Sequence, residues 1–174
     1  MRTLLLAALV AALAIPQESR NFPGLAIAIV EAALPVVGLG PNAMHPPVTS
    51  GPFYIDGPSF VRNFDWLMQG RGSEIRDTLI AFGYASAATE DLLRQEVDSL
   101  GYPHHWLADD AIILRLDGMN TSRREVDVDV TFYYTKLREL PPVIRTVCPL
   151  ILRMRLLLED GEWNAVERNI VGQC

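Results

Sequence analysis

Two stretches with apolar residues at every second position constrain this chain more than any other feature of its sequence. Residues 125–134 and residues 150–158 both carry large apolar side chains at their even positions. Alternation with a period of two is typical of a strand that buries one face. We therefore predict two long strands that each contribute one face to the core.

These two strands fit together in one antiparallel register. When Asp129 faces Arg153, the neighbouring pair on the same face, Asp127 and Arg155, also brings opposite charges together, and the pairs on the other face are apolar. A slip by one residue would bury these charges, so the register is strongly specified. We predict that Asp129 and Arg153 are cross-strand neighbours.

The composition predicts a folded domain and excludes some partners. Hydrophobic residues make up 49% of the chain and charged residues 21%, which is normal for a globular protein and unlike a disordered one. The formal net charge is −6 and there is no basic cluster, so the chain lacks the field that attracts phosphate backbones or anionic lipid. We expect one domain and no nucleic-acid partner, and a membrane partner is disfavoured.

The N-terminus is typical of a secretory signal peptide. Arg2 is followed by an apolar run and by the pattern Ala12-Leu13-Ala14, with small residues at its first and last positions, which predicts cleavage near Ala14 and a secreted, extracellular protein. An uncleaved anchor is the alternative, but the apolar run is too short to span a bilayer. Residues 15–57 are interpreted as an apolar segment and a Gly/Pro-rich lead-in, and residues 58–174 as the domain.

Helices are predicted at the start of the domain and before it. Residues 24–40 are predicted to form a short packed helix, because a charge and a proline count against the alternative of a membrane segment. Apolar residues then recur at helical spacing in residues 59–70, in residues 73–83 and in a segment that begins at Ser86 or Thr89 and ends before Gly101.

Two further strands complete a meander with the first pair. Residues 111–117 alternate as a strand, residues 159–162 are a hairpin-turn signal, and residues 163–171 form the last strand. The predicted fold class is α+β, with three N-terminal helices packed on a curved, four-stranded or larger antiparallel sheet.

Three amphipathic helices, followed by a four-strand meander with the hairpin Leu158-Glu159-Asp160-Gly161-Glu162-Trp163, resemble the nuclear transport factor 2-like superfamily, also called SnoaL-like or ketosteroid-isomerase-like. The resemblance covers residues 58–174. It implies a cone-like domain whose open end holds an apolar ligand or an active site. Members include isomerases, dehydratases and non-catalytic binding modules, so the resemblance does not select a function. None of the family's catalytic residues matches a position in this sequence.

The inner face of such a cone is predicted to be apolar. The candidate ligand-pocket residues are Phe64, Met68, Val128, Val130, Phe132, Tyr134, Leu152 and Met154. Ordinary core packing is the other interpretation of these residues, and only Tyr134 offers a polar group. We predict no catalytic residue, no metal and no cofactor.

Two pairs of residues with metal-binding chemistry lie close together in sequence. Residues 104–105 are both His and residues 109–110 are both Asp, but their spacing matches no established zinc pattern, so a solvated turn is predicted. The alternative function is an isomerase or dehydratase, which requires Asp65, His104 or Tyr134 to turn into the cone.

Two covalent modifications are predicted. Asn120 begins an N-glycosylation sequon at a hairpin tip, where an oligosaccharide fits if the chain passes through a eukaryotic secretory pathway. Cys148 and Cys174 are predicted to form a disulfide, because the final hairpin places them opposite or diagonal to one another. The alternatives are a buried free Cys148 or a Cys174 that links two chains.

The preferred function is therefore a secreted, non-catalytic module that binds a small apolar molecule or a protein. The third hypothesis, after the enzyme, is a self-associating structural domain that forms a homodimer through its sheet. Nothing in the sequence identifies the ligand or the partner.

Overall fold

The computed structural model describes residues 21–38, 51–138 and 144–173. Its helices are α1 (Phe22–Ala33), α2 (Gly57–Asp65), α3 (Ser73–Ala81) and α4 (Thr89–Leu92), with 3₁₀ turns at Leu34–Val37 and Ala108–Asp110. Its strands are β1 (Phe53–Asp56), β2 (Ala85–Ala87), β3 (Leu93–Val97), β4 (Pro103–Leu107), β5 (Ile112–Thr121), β6 (Glu125–Arg138), β7 (Ile144–Glu159) and β8 (Glu162–Gln173). These elements form an α+β fold.

Strands β6 and β7 pair in the register that the sequence predicts. Asp129 lies opposite Arg153 and its Oδ1 accepts a hydrogen bond from Arg153 Nε at 2.8 Å. The register continues without a bulge along all of β6. Exposed ion pairs of this kind contribute only about 0.2–1 kcal/mol each. The register is therefore held mainly by burial of the opposite, apolar face.

One six-stranded mixed sheet forms the centre of the fold. Its strand order is β2-β1-β5-β6-β7-β8, and β1 runs parallel to the strands on both of its sides. Tyr54 lies opposite Ala85 in β2 and opposite Ile113 in β5. Strand β1 therefore lies inside the sheet, although its residues belong to the stretch interpreted as a lead-in.

The predicted fold of three N-terminal helices on a cone-like antiparallel sheet is wrong. The sheet is mixed rather than antiparallel, and a separate two-stranded sheet, β3–β4, is present as well. Helix α1 precedes the predicted domain and packs into the same core as α2 and α3. The helices at residues 59–70 and 73–83 correspond to α2 and α3, whereas the third predicted helix is not formed as such.

The third predicted helix is divided between one helical turn and a strand. Helix α4 ends at Leu92, and β3 then pairs with β4 so that Leu93 faces Leu107 and Val97 faces Pro103. Residues four apart share a face in a strand as well as in a helix. The spacing of Leu93 and Val97 therefore fitted both structures, and the pairing with β4 selects the strand.

The predicted packed helix in residues 24–40 is confirmed as α1. The Asn21 side chain caps its start by accepting a hydrogen bond from Gly24 N at 2.9 Å. Leu25, Ile29 and Val30 are buried. No helix in the described ranges is both long and apolar enough to cross a membrane.

Each face of the large sheet carries a hydrophobic cluster. We call inner the face of β6 and β7 with the even-numbered residues, which packs against α1, α2 and α3. On the other, outer face, Leu107 and Ala111 pack on Ile113 at the end of the sheet nearest Tyr133. The rest of the outer face carries the exposed ion pairs. The β3–β4 hairpin is thus attached to the outer face through β4, which lies close to β7 and β6.

Two β-bulges interrupt the last strand. The pairing of β8 with β7 shifts between Arg155 and Leu156 and again between Ile151 and Leu152. Bulges of this kind increase the local twist and make an edge strand less suited to pairing with another chain.

Cys148 is buried opposite Tyr134 and is not a free thiol. Cys174 lies outside the described residues, so a bridge between the two stays a prediction. The last described pairs of the hairpin, Leu150 with Gln173 and Ile151 with Gly172, place Gln173 opposite a residue two positions from Cys148 along β7.

Substitution of Val130 by Asp is expected to lower the free energy of unfolding by at least about 3 kcal/mol, because it places an unpaired charge in the centre of the inner face. Urea unfolding measures the change. Val166→Asp, the same substitution at an exposed position of β8, is the matched control and is expected to change stability by less than about 0.5 kcal/mol. Equal effects of the two substitutions would show that Val130 is not in the core.

Peptide mapping without reduction is expected to recover Cys148 and Cys174 in one linked fragment. Replacing both residues by Ser is expected to cost about 2–4 kcal/mol, because the bridge restricts the unfolded chain. Recovery of both residues as alkylated free thiols would rule the bridge out. Recovery of a Cys174 dimer would identify a link between chains instead.

Candidate functional site

The predicted ligand-pocket residues all lie in the main hydrophobic core. Phe64, Met68, Val128, Val130, Phe132, Tyr134, Leu152 and Met154 are each at most 5% exposed. They belong to one cluster with Leu25 and Ile29 of α1, a helix that lies outside the predicted domain. The part of the inner face that carries these residues is thus buried, and binding of a small apolar ligand there stays a prediction.

The three residues named for catalysis are not brought together. Tyr134 is buried in the inner core. Asp65 is exposed at the end of α2, where its Oδ1 accepts a hydrogen bond from Gly72 N at 3.0 Å. His104 lies in β4, on the opposite side of the sheet from Tyr134. No two of them share a site.

His104 and Asp98 instead stabilise the turn between β3 and β4. His104 Nε2 lies 3.1 Å from Asp98 Oδ2, and Asp98 Oδ1 accepts hydrogen bonds from Leu100 N and Tyr102 N. The hydrogen bond from Tyr102 N, together with the one to His104, lowers the pKa of the Asp98 carboxyl. His104 and His105 both lie in β4, so the prediction that they belong to a solvated turn is wrong. Within the described residues, no group of three or more His, Cys, Asp or Glu residues could hold a metal ion.

Asp56 carries a buried carboxylate that the sequence pattern does not reveal. Asp56 is 4% exposed and ends β1, and its Oδ2 accepts a hydrogen bond from Thr89 Oγ1 at 2.9 Å. Its Oδ1 lies 3.4 Å from Ser59 N, so Asp56 is the N-cap of α2. Burial raises the pKa of Asp56. The helix predicted in residues 59–70 therefore starts earlier, at Gly57, because the side chain of Asp56 rather than that of Ser59 supplies the N-cap.

Asp56 occupies the place where ligands often bind in parallel sheets. Strand β1 is followed by α2, which packs on the inner face. Strand β2 is followed by α4 and then by the β3–β4 hairpin, which packs on the outer face. Neighbouring parallel strands whose connections diverge in this way form a crevice at their carboxyl ends. Here the crevice is closed, because Thr89 bonds to Asp56 and a Cβ atom on Gly57 would lie 2.3 Å from Ser86 Oγ. We assign Asp56 a structural role.

Helix α2 also completes the hydrogen bonding of β5 next to its bulge. The pairing of β5 with β6 shifts between Leu116 and Gly118. Leu116 N donates to Ser59 Oγ at 3.0 Å, and Leu116 O accepts from Asn63 Nδ2 at 2.8 Å. Two side chains of one helix thus satisfy both main-chain groups of a buried strand residue, which fixes α2 against the sheet.

The β3–β4 hairpin is the most exposed apolar element. All five residues of β3 are exposed, and the turn displays Leu100 at 79% and Tyr102 at 64% exposure. Leu93 and Val97 are also exposed, on the face of the hairpin that carries the buried Leu107 at its base. Large apolar side chains exposed on one hairpin are typical of an interaction surface. We call these four residues, Leu93, Val97, Leu100 and Tyr102, the hairpin surface.

Acidic residues outnumber basic ones in the segment that contains the hairpin. In residues 89–110, the carboxylates of Glu90, Asp91, Glu96, Asp98, Asp109 and Asp110 accompany a single arginine, Arg94. Arg94 Nη1 donates to Asp91 O and Leu93 O, so this arginine is turned toward its own chain. Much of the net negative charge of the chain therefore lies in the segment that carries the exposed apolar side chains.

The predicted glycosylation residue is accessible. Asn120 is exposed near the end of β5, opposite Asp127. The sequon therefore lies on the surface, and its glycosylation stays a prediction.

Comparison of the chain with known protein families, with curated proteins and with solved structures found no match. The resemblance to the nuclear transport factor 2-like superfamily accordingly stays a prediction.

Substitution of Asp56 tests its structural role. Asp56→Ala is expected to destabilise the protein by about 1 kcal/mol or more, because it removes the N-cap of α2 and the acceptor for Thr89. Asp56→Asn keeps an acceptor oxygen and is expected to be tolerated. Chemical unfolding at neutral pH measures the free energy of unfolding of both variants. Equal decreases in the two variants would show that the acceptor oxygen at this position does not contribute to stability.

Because the pKa of Asp56 is raised, the difference in stability between the wild type and Asp56→Asn is expected to depend on pH. The folded state holds the proton more tightly than the unfolded state, whose pKa is near 3.8, so the contribution of Asp56 is fully present below that pH. It is lost as the pH rises through the higher pKa of the folded state. The stability of Asp56→Asn relative to the wild type is therefore expected to improve over that range. A relative stability that falls with rising pH would contradict the burial effect.

Proposed function

We propose that this chain is a secreted, non-catalytic domain that binds another protein through the hairpin surface. The observation that carries the proposal is the exposure of Leu100 and Tyr102 at the tip of a hairpin whose other end is fixed to the sheet by Leu107. A rigid support that presents apolar side chains lowers the entropy cost of binding. Leu107 is held both by burial of its side chain and by its main chain, because Thr135 Oγ1 accepts a hydrogen bond from Leu107 N.

The charge around the hairpin surface defines the partner's chemistry. Glu96 and Asp98 lie in or next to β3, and Glu90 and Asp91 lie in the preceding helical turn. Carboxylates around apolar side chains attract a segment that combines basic and apolar residues, and they repel acidic surfaces and anionic lipid. The proposed partner is therefore a protein with a basic, partly apolar binding segment.

Secretion is supported by the sequence rather than by the fold. The signal-peptide pattern of residues 1–14 and the predicted Cys148–Cys174 bridge agree with an oxidising compartment. Glycosylation of Asn120 belongs to the same proposal, and it applies only in a eukaryotic secretory pathway. The glycan would lie on β5, away from the hairpin.

Two other functions have less support. An enzyme of the isomerase or dehydratase type would need acid and base groups in one cavity, and the structure separates Asp65, His104 and Tyr134. A small apolar ligand would need space on the inner face, where the predicted pocket residues pack against helices. The hairpin surface needs neither, because its apolar side chains are already exposed.

Site-specific photocross-linking tests the proposal. Benzoylphenylalanine is placed at Leu100 or Tyr102 in the mature protein, which is irradiated in culture fluid of the source organism. Both positions are expected to label the same protein. The control positions are Phe82 and Val166, which are exposed apolar residues on α3's end and on β8. They are expected to label it weakly or not at all.

The labelled protein is then produced separately and its affinity measured. Substitution of both Leu100 and Tyr102 by Ser is expected to weaken binding at least about tenfold, as for apolar residues central to an interface. Substitution of Phe82 by Ser is expected to leave the affinity unchanged. Equal labelling at all four positions, or an unchanged affinity of the double variant, would contradict the proposal.

A further inference from the structure

The free edge of β3 differs from the edges of the large sheet. Strand β2 has three residues, and β8 is interrupted by two bulges, so neither offers a long regular edge. Strand β3 pairs with β4 in one unbroken register and contains no proline or lysine. Among the residues that the structure describes, no strand pairs with the other edge of β3.

The hydrogen bonding of the turn shows which main-chain groups point out from this edge. Asp98 N donates to Tyr102 O, which makes residues 98 and 102 a hydrogen-bonded pair. Hydrogen-bonded and non-hydrogen-bonded pairs alternate in an antiparallel ladder. The N–H and C=O groups of Glu96 therefore point toward β4, whereas those of Gln95 and Val97 point away from it.

Two other contacts agree with this assignment. Leu93, which has the same parity as Gln95, uses its outward N–H to bond Thr89 O and its outward C=O to accept from Arg94. Across the hairpin, Leu107 uses its outward N–H to bond Thr135. At these two positions the outward groups are already satisfied. Gln95 and Val97 are left with four main-chain groups on the free edge.

We infer that β3 accepts an extended basic and apolar segment of a partner protein as an antiparallel third strand, hydrogen-bonded to Gln95 and Val97. The inference rests on the proposed function and specifies how the partner binds. A two-stranded sheet is marginally stable by itself, and a third strand extends it. Binding by strand addition gains its affinity from the main chain and its specificity from alternate side chains.

The side chains of β3 define the pattern of the added strand. Residues directly opposite one another lie on the same face, so the partner residues opposite Gln95 and Val97 share the face of Leu93 and Val97, where apolar side chains fit. The partner residue opposite Glu96 lies on the other face, where a basic side chain pairs with the carboxylate. The expected segment alternates apolar and basic residues.

A synthetic peptide of about eight alternating lysine and valine residues is the probe. It is expected to bind the mature protein and to slow hydrogen exchange at the amides of Gln95 and Val97, while the amide of Glu96 is already protected by β4. Binding is expected to weaken several-fold when the salt concentration rises from low to physiological values, because exposed charges are screened. A peptide of alternating glutamate and valine is expected not to bind.

Methylation of peptide nitrogens separates strand addition from contact by side chains alone. In the proposed register the valine N–H groups face β3 and the lysine N–H groups face solvent. The peptide with methylated valine nitrogens is expected to lose binding, and the peptide with methylated lysine nitrogens to retain it. Equal binding of the two methylated peptides would overturn strand addition, while the cross-linking experiment still decides the proposed function.

Variants of the protein complete the test. Gln95→Pro removes an outward N–H without removing a bond to β4, and proline is tolerated at strand edges, so it is expected to weaken the peptide at least about tenfold with an unchanged melting temperature. Glu96→Lys is also expected to weaken peptide binding at least about tenfold, because the new lysine repels the lysine residues of the peptide. Glu162→Lys, the same charge change at the β7–β8 turn, is expected to have no effect.

Three outcomes would overturn the inference. The first is protection of β8 amides in place of Gln95 and Val97 when the peptide binds. The second is unchanged peptide affinity in folded Gln95→Pro. The third is protection of Gln95 and Val97 without peptide in a concentration-dependent dimer, which would identify a second copy of this chain as the occupant.

Discussion

The burial of one face of β6 and β7 is the constraint on which the rest of this structure depends. Their register is continuous, so the even-numbered residues from Val126 to Tyr134 and from Cys148 to Leu158 form one apolar surface. Helices α1, α2 and α3 all pack on that surface, and α2 is fixed there by Ser59 and Asn63, which bond the main chain of Leu116. The ion pairs on the other face add little energy, but they oppose a slip of the register, because such a slip would bury them.

The outer face shows why the hairpin is available for binding. Strand β4 lies close to β7 and β6 on this face and contributes Leu107 to the small outer cluster around Ile113. The remainder of the hairpin contributes few buried residues, and all of β3 is exposed. Its regular structure is supported by the Asp98 turn and by its pairing with β4, which leaves its other edge open to a partner. In this domain the core is thus formed by one part of the chain and the proposed interaction surface by another.

The sequence predicted those parts of the fold in which two independent patterns agree. Residues 125–134 and 150–158 specify their register through apolar residues on one face and charges on the other. Strand β1 could not be found in this way, because four residues are too few to show a period and they follow a segment rich in Gly and Pro. Strand β3 was predicted as a helix because Leu93 and Val97 share a face in either structure. Tertiary pairing decided both cases.

The same limits apply to the candidate site. The sequence shows the acidic residues of the hairpin, but their position beside an unpaired strand edge depends on the β3–β4 pairing. Asp56 could have been recognised as a cap, since it precedes Gly57 and Pro58, but its burial results from its place between parallel strands. Cys148 follows the pattern of the inner face and was correctly placed on the strand that precedes the last hairpin.

The parallel pairing of β1 has a consequence for the order in which the chain folds. Both neighbours of β1 come later in the sequence, and one of them, β5, is separated from it by all of α2, α3 and the hairpin. The β6–β7 and β7–β8 pairs join segments that are separated by few residues in the sequence, so their loop-closure cost is low. We therefore expect the C-terminal meander to form early and to serve as the template on which β1 docks. During synthesis, the apolar residues of α1 and β1 are therefore expected to stay exposed until the second half of the chain has been synthesised and the sheet has formed.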